Sequence, residues 1–132
     1  MSKKTPLIYV VEDSVPSAML YQSYLETLGY KVRVYHTGLD ALEAMNELAP
    51  DILIQDIQLP DISGLDILRE VTRAELPTKT IVITSDTDLD YAVEATRHGA
   101  FDFIQKPFTK DRLLVTVANA LKQSELLDRV QE

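Results

Sequence analysis

No cysteine occurs in the 132 residues, which removes disulfides, thiolate nucleophiles and zinc–thiolate sites and suits a cytosolic protein. Positive charge is also in short supply: 13 Lys and Arg face 21 Asp and Glu, for a net charge of −8 and a pI near 4.7. Direct nucleic-acid binding needs clustered cations against the phosphates, so none is expected of this chain. Apolar runs fall far short of a membrane span and the N-terminus carries no signal-peptide hydrophobic region, so the chain reads as cytoplasmic, with no membrane partner. Internal repeats, low-complexity segments and interdomain linkers are missing too. So is a phosphate-binding glycine loop of the Walker type, and this piece should not hydrolyse ATP.

What is present is a 45% hydrophobic chain whose apolar pattern alternates between two periods, enough for one domain with a single core. Short β-branched runs at Ile8 to Val11, Lys31 to Tyr35, Ile52 to Ile54, Thr80 to Ile83 and Phe101 to Gln105 read as strands. Between them lie helical spacings: Leu20, Tyr24, Leu25 and Leu28 up to Gly29; Leu42, Met45 and Leu48 up to Pro50; Leu65 to Val71; Leu89 to Arg97 up to Gly99. A last helix begins near Lys110, with Leu114, Val117 and Leu121 as its core stripe. Three helix starts pair a hydroxyl with an Asp three positions on (Thr37 with Asp40, Ser63 with Asp66, Thr87 with Asp90), a capping signature. Strict strand–helix alternation with short connections predicts an α/β, doubly wound, five-stranded parallel sheet with five helices on its two faces. This is the flavodoxin-like fold, with strand order 2-1-3-4-5.

The ends of the predicted strands carry the chemistry. The first runs into Glu12 and Asp13, the third into Gln55 and Asp56, the fourth into Thr84 and the fifth into Lys106. Ligands of open α/β sheets bind beyond the carboxyl ends of the strands, so carboxylates, a hydroxyl and an ammonium converging there suggest magnesium and phosphate.

Glu12-Asp13, Asp56-Ile-Gln-Leu-Pro60 with Gly64, Thr84-Ser85 and Lys106-Pro107-Phe108, in this order, resemble the receiver domain of bacterial response regulators. The resemblance covers roughly residues 6 to 122, so 1–122 is expected to be the receiver and 123–132 an extension of its last helix toward an output domain. A carboxylate can attack phosphorus to give an aspartyl phosphate, and Asp56 is the expected nucleophile. Crowding by Glu12 and Asp13 should raise a pKa or hold a cation, and Mg²⁺ fits best, with its preference for a few carboxylates, retained waters and phosphate oxygens.

The resemblance implies the finer roles. Asp13 and Asp56 would ligate the metal, Glu12 would assist through water, and the Gln58 carbonyl would complete the protein ligands. Lys106, the Thr84 hydroxyl and the Ser85 backbone N–H would bind the phosphoryl oxygens, where stabilisation of transferring charge counts most. Pro107 would follow a cis peptide bond. Gln58 and Asp86 would set the phosphoryl lifetime. Thr84 and Phe103 would form the switch, phosphorylation drawing Thr84 in and turning Phe103 inward, and so bias the face made by helix four, strand five and helix five.

Further stretches, including Val11-Glu-Asp13, Leu20-Tyr-Gln-Ser-Tyr-Leu25 and Asp111-Arg-Leu-Leu-Val-Thr-Val117, look like receivers of the LuxO family of quorum-sensing regulators, within the NtrC group of sigma-54 activators. That likeness implies a histidine phosphotransfer protein or sensor histidine kinase as donor, and AAA+ and DNA-binding output domains in a full-length protein. Leu127 and Val130 continue an apolar pattern, which fits either a frayed helix end or a linker helix entering a homodimer.

Three rivals bound this reading. A haloacid-dehalogenase-like phosphatase would need an acid where Gln58 stands, and a flavodoxin-like FMN carrier would need phosphate donors where Glu12 and Asp13 stand. A receiver-like, phosphate-independent interaction module shares the fold and is the remaining alternative. His36 and His98 lack metal-ligand spacing.

Overall fold

Residues 5–85 and 89–131 are described by the structure, a computed structural model. Five strands, β1 (Leu7–Val11), β2 (Lys31–Tyr35), β3 (Ile52–Asp56), β4 (Lys79–Thr84) and β5 (Asp102–Gln105), pair in parallel in the order β2-β1-β3-β4-β5. The helices between and after them are α1 (Val15–Glu26), α2 (Gly38–Glu47), α3 (Gly64–Arg73), α4 (Leu89–Arg97) and α5 (Lys110–Gln131). Central strands are covered on both faces, so they read as continuous apolar runs, with Ile8, Tyr9, Ile52, Leu53 and Ile81 at 0% exposure. Edge strand β2 alternates instead, with Lys31 and Arg33 exposed, which blunts its open edge.

Alternation along the strands divides the core. Ile8, Val10, Ile52, Ile54, Ile81 and Ile104 pack against Tyr21 and Leu25 of α1 and Leu113, Val117 and Ala120 of α5. On the opposite face Tyr9, Val11 and Leu53 meet Ala41, Met45, Ile67 and Val71 of α2 and α3, while Val82 meets Leu68 and Ala95 toward α4.

Two helix faces differ from the sequence expectation. In α1 the buried residues are Ala18, Tyr21 and Leu25, while Leu20 is 47% exposed and Leu28, just past the helix, 52% exposed. Both stripes have helical spacing; the one that contains the small Ala18 faces the sheet, and the Leu20 and Leu28 stripe turns to solvent. In α5 the buried stripe is Leu113, Val117 and Ala120, one residue off the expected line, with Leu114 and Leu121 packed at its margin. The side chains of Leu127 and Val130 lie outside the described residues, as does Thr87.

Caps follow the hydroxyls. Thr37 Oγ1 accepts from Asp40 N–H at 3.2 Å, and Ser63 Oγ accepts from Leu65 N–H at 3.1 Å. Asp66 does not close a reciprocal box, because its carboxylate pairs with Arg69 at 2.9 Å. Ser14, whose Oγ accepts from Ser17 N–H at 3.3 Å, starts α1 with Pro16 in its first turn, a start signal not read from the sequence.

One glycine fixes the end of β3. A Cβ on Gly64 would lie 2.8 Å from the Asp56 carbonyl oxygen and 2.8 Å from Ile57 Cα, backbone atoms at the end of β3 and just beyond it. Gly64→Ala must therefore move α3 or the end of β3, and is expected to destabilise the fold by about 1–3 kcal/mol in urea unfolding. A change below about 0.5 kcal/mol would show that α3 yields freely.

Candidate functional site

The register decides which side chains meet. Val11 lies beside Tyr35 and Gln55, Asp56 beside Ile83, and Thr84 beside Gln105, so the carboxyl ends of all five strands form one rim. Glu12 and Asp13 follow β1, Asp56 ends β3, Thr84 ends β4, and Lys106 follows β5. The Lys106 N–H donates to the Thr84 carbonyl at 2.8 Å, which continues the ladder and aims the lysine back across the rim.

Lys106 Nζ lies 2.9 Å from Asp56 Oδ2 and 3.2 Å from Glu12 Oε1. The other Asp56 oxygen, Oδ1, accepts from the Gln58 backbone N–H at 2.9 Å. Glu12 is 2% exposed, and its Oε2 is buried without a hydrogen-bond partner among the described residues. Asp13 is exposed. Each of Glu12, Asp13 and Asp56 brings a carboxylate oxygen within 4.8 Å of the others. One ammonium against three carboxylates leaves surplus negative charge, which a divalent cation would neutralise.

Burial pushes the Glu12 carboxyl up to about 7 from the usual 4.5; hydrogen bonding and charge from Asp56 add to this, and Lys106 opposes it. Burial alone would lower the Lys106 ammonium, but Asp56 and then Glu12 outweigh it, so Lys106 is held well above the ordinary lysine range and stays charged.

Thr84 is buried at the end of β4 and Ser85 is exposed beside it. The Lys106–Pro107 peptide is cis. Phe103 is 37% exposed on the face of β5 opposite the buried Ile104, so it is not a core residue, and its carbonyl accepts from Arg112 Nη2 at 3.3 Å. Asp86 lies outside the described residues.

Three supports of the rim were not read from the sequence. His36 Nδ1 lies 2.9 Å from the Glu12 carbonyl oxygen and must donate to it, while Glu12 N–H donates to the Tyr35 carbonyl at 3.0 Å. The end of β2 thus holds the Glu12 backbone on both sides. Gln55, fully buried behind Asp56, donates from Nε2 to the Gly64 carbonyl at 2.8 Å. Asp61 binds the start of α2. A polar residue in a buried strand was the available signal for Gln55; the other two depend on loop packing that no spacing rule encodes.

Comparison with known proteins agrees with this geometry. The model of the response regulator receiver domain matches residues 8–118, and the chain belongs to that family. It is 42% identical over 118 residues to the luminescence regulatory protein LuxO of Vibrio campbellii, a match covering 89% of this chain and 26% of that protein. It is 34% identical over 115 residues to the DNA-binding transcriptional regulator NtrC of Proteus hauseri, covering 86% of this chain and 24% of that one. The chain therefore spans about a quarter of the length of these curated relatives. Among solved structures, the signal receiver domain of a LuxO repressor protein from Vibrio parahaemolyticus superposes with a TM-score of 0.93 at 36% identity, over 98% of this chain and 99% of that one. NtrX from Brucella abortus, in complex with ADP, superposes with a TM-score of 0.88 at 34% identity, over 97% of this chain and 29% of that one.

Proposed function

We propose that this receiver accepts a phosphoryl group on Asp56 in a Mg²⁺-dependent step and passes the resulting change to an output domain. The observation that carries the reading is the Asp56 carboxylate itself, shared between Lys106 Nζ and the Gln58 N–H at the mouth of an acidic cluster. An Asp56 carboxylate oxygen attacks phosphorus, forming the acyl phosphate P–O bond as the bond to the donor breaks. The donor is the phosphorylated imidazole of a histidine phosphotransfer protein or sensor kinase, or acetyl phosphate, which leaves as acetate. Lys106 transfers its ammonium from the carboxylates to the phosphoryl oxygens, joined by the Thr84 hydroxyl and the Ser85 N–H.

The buried Glu12 Oε2, without a partner among the described residues, and the three clustered carboxylates fit a small hard cation. Asp13, Asp56 and the Gln58 carbonyl would hold Mg²⁺, with Glu12 acting through water; when bound, the ion supplies charge neutralisation for the incoming phosphoryl group.

This assignment gives a pH dependence. A carboxyl raised to about 7 in the fold from 4.5 favours its protonated form, so its contribution to stability is complete below pH 4.5 and is lost as pH rises through 7. The carboxyl of Asp61 is shifted downward and Lys106 upward, so both titrate outside that window. Above pH 7 the ionised Glu12 carries its full burial cost, which Mg²⁺ offsets. The magnesium-induced rise in melting temperature is expected to be several-fold larger at pH 8 than at pH 5.5; equal rises at both would remove Glu12 from the metal site.

Beside the rim, α1 exposes Val15, Met19 and Leu20, and a groove of about 220 Å³ runs past Tyr24, Lys106 and Phe108. This apolar surface suits docking of the donor protein. Phosphorylation would draw Thr84 toward Asp56 and turn Phe103 inward from its exposed position, altering the α4, β5 and α5 face; Phe103 has no hydroxyl to lock the inward state. Similarity to LuxO and NtrC supports a cytoplasmic response regulator whose AAA+ and DNA-binding output domains drive sigma-54 transcription, with 1–122 as receiver and the end of α5 leading onward.

The test is intact mass after incubation with acetyl phosphate, with and without magnesium. One hydroxylamine-labile phosphoryl adduct that requires magnesium is expected. No adduct from acetyl phosphate or from a phosphorylated histidine donor, with magnesium binding shown separately, would favour a phosphate-independent interaction module.

A further inference from the structure

The loop 57–63, between β3 and α3, carries the Gln58 peptide that touches the phosphoacceptor. Most of its restraints come from its own neighbours: Gly64 N–H donates to the Ile57 carbonyl at 2.9 Å, Gln58 bridges to Ser63, and Gln55 secures Gly64. Its tip is held differently. Asp61 Oδ1 accepts from Gly38 N–H at 2.9 Å and Oδ2 from Leu39 N–H at 2.8 Å, so one carboxylate binds two consecutive amides of another helix. Thr37 already takes the next amide, Asp40, and the first turn of α2 is thus satisfied by its own cap and by a residue 22 or 23 positions away.

Packing reinforces the arrangement. A Cβ on Gly38 would lie 2.6 Å from Ile62 Cγ1, so α2 begins with a glycine where the loop tip lies against it. Burial pushes the Asp61 carboxyl up, yet backbone amides, those of Leu39 and Gly38 foremost, outweigh it and hold it below the usual carboxylate range, so the clamp is charged at neutral pH.

We propose that Asp61 is a positioning residue for the phosphoacceptor site: by clamping loop 57–63 to the start of α2, it fixes the Gln58 peptide, which in turn orients Asp56 and presents a carbonyl to the metal. The inference rests on the function proposed above. Without the clamp the loop tip is free to move, the Gln58 N–H leaves Asp56 Oδ1, and the carbonyl on the same residue loses its aim. Residues that orient metal ligands typically cost 10- to 100-fold in affinity when removed.

The experiment is calorimetric titration of magnesium ion alone into wild type, Asp61→Ala, Asp61→Asn and Thr37→Ala, with melting temperature measured in parallel. Asp61→Ala is expected to bind Mg²⁺ about tenfold more weakly, and Asp61→Asn, which keeps one amide acceptor, to fall between it and wild type. Thr37→Ala removes a cap from the same helix without touching the loop, and should lower the melting temperature while leaving Mg²⁺ affinity unchanged. A mere helix cap at Asp61 predicts the same outcome for all three variants, so wild-type affinity in Asp61→Ala or, should that variant not fold, in Asp61→Asn overturns the proposal. No magnesium binding in wild type would sink the functional reading and this one with it; binding in wild type that the Asp61 variants leave unmoved sinks this one alone.

Discussion

Asp56→Ala protein is expected to take up no phosphoryl group from acetyl phosphate at any magnesium concentration, while wild type gains the mass of one. The fold should survive, for a reason specific to this site. Asp56 is one of two carboxylates sharing Lys106, and its removal leaves Glu12 and Lys106 as a neutral pair 3.2 Å apart. Burial raises the Glu12 carboxyl first and Asp56 second, so the variant loses the second contribution and Glu12 shifts back toward 4.5 without reaching it. Without magnesium at pH 8, Asp56→Ala should therefore melt no lower than wild type, and magnesium should raise its melting temperature less. Intact mass and thermal unfolding on the same samples decide both points. A magnesium-dependent, hydroxylamine-labile adduct persisting on Asp56→Ala would place the nucleophile on another carboxylate, with Asp13 and Glu12 the candidates within reach.

How far the sequence could be read follows from which signals are local. Strands β1, β3 and β4 announce themselves because, covered on both faces, they must be apolar throughout, and the residue at which each run stops is visible as Glu12, Asp56 or Thr84. Parallel pairing then requires those ends to share one rim, so the meeting of Glu12, Asp13, Asp56 and Lys106 could be anticipated from residue types alone. Helix faces were harder to read. In and just after α1 the large apolar residues Leu20 and Leu28 suggested one stripe, but the sheet takes Ala18, Tyr21 and Leu25, because close approach favours a small residue that hydropathy ranks low. Asp61 and His36 were illegible for another reason. Their partners, Gly38 with Leu39 and the Glu12 carbonyl, are 22 to 24 residues away in the chain and become neighbours only when loops are packed. Phe103, expected to take part in the switch, sits on an edge strand, on the side away from Ile104, and is left partly in solvent.

Lys106→Ala is the second substitution with a large expected effect, and it separates the two roles of the lysine. In the unphosphorylated protein the ammonium neutralises Asp56 and Glu12, whose side chains are 10% and 3% exposed. Breaking a buried pair from one side costs roughly 3–5 kcal/mol, and because the lysine itself is 24% exposed the low end of that range applies. The loss should depend on pH in a definite direction. Raising the pH beyond 7 puts charge on Glu12 with no ammonium beside it to offset it; at pH 5.5 Glu12, already raised to about 7 in wild type and raised further without Lys106, is protonated and the repulsion is relieved. Urea unfolding without magnesium should accordingly show a deficit of about 3 kcal/mol at pH 8 that shrinks markedly at pH 5.5, and magnesium should recover much of it at pH 8. The catalytic role is read separately, at saturating magnesium. Losing one preorganised cation from the transferring phosphoryl group should slow phosphorylation by about 10²–10³-fold without abolishing it, because Asp56 and the metal remain. A deficit equal at both pH values would show that Lys106 stabilises the fold through packing of its stem, and a phosphorylation rate within about tenfold of wild type would remove it from the phosphoryl-binding set.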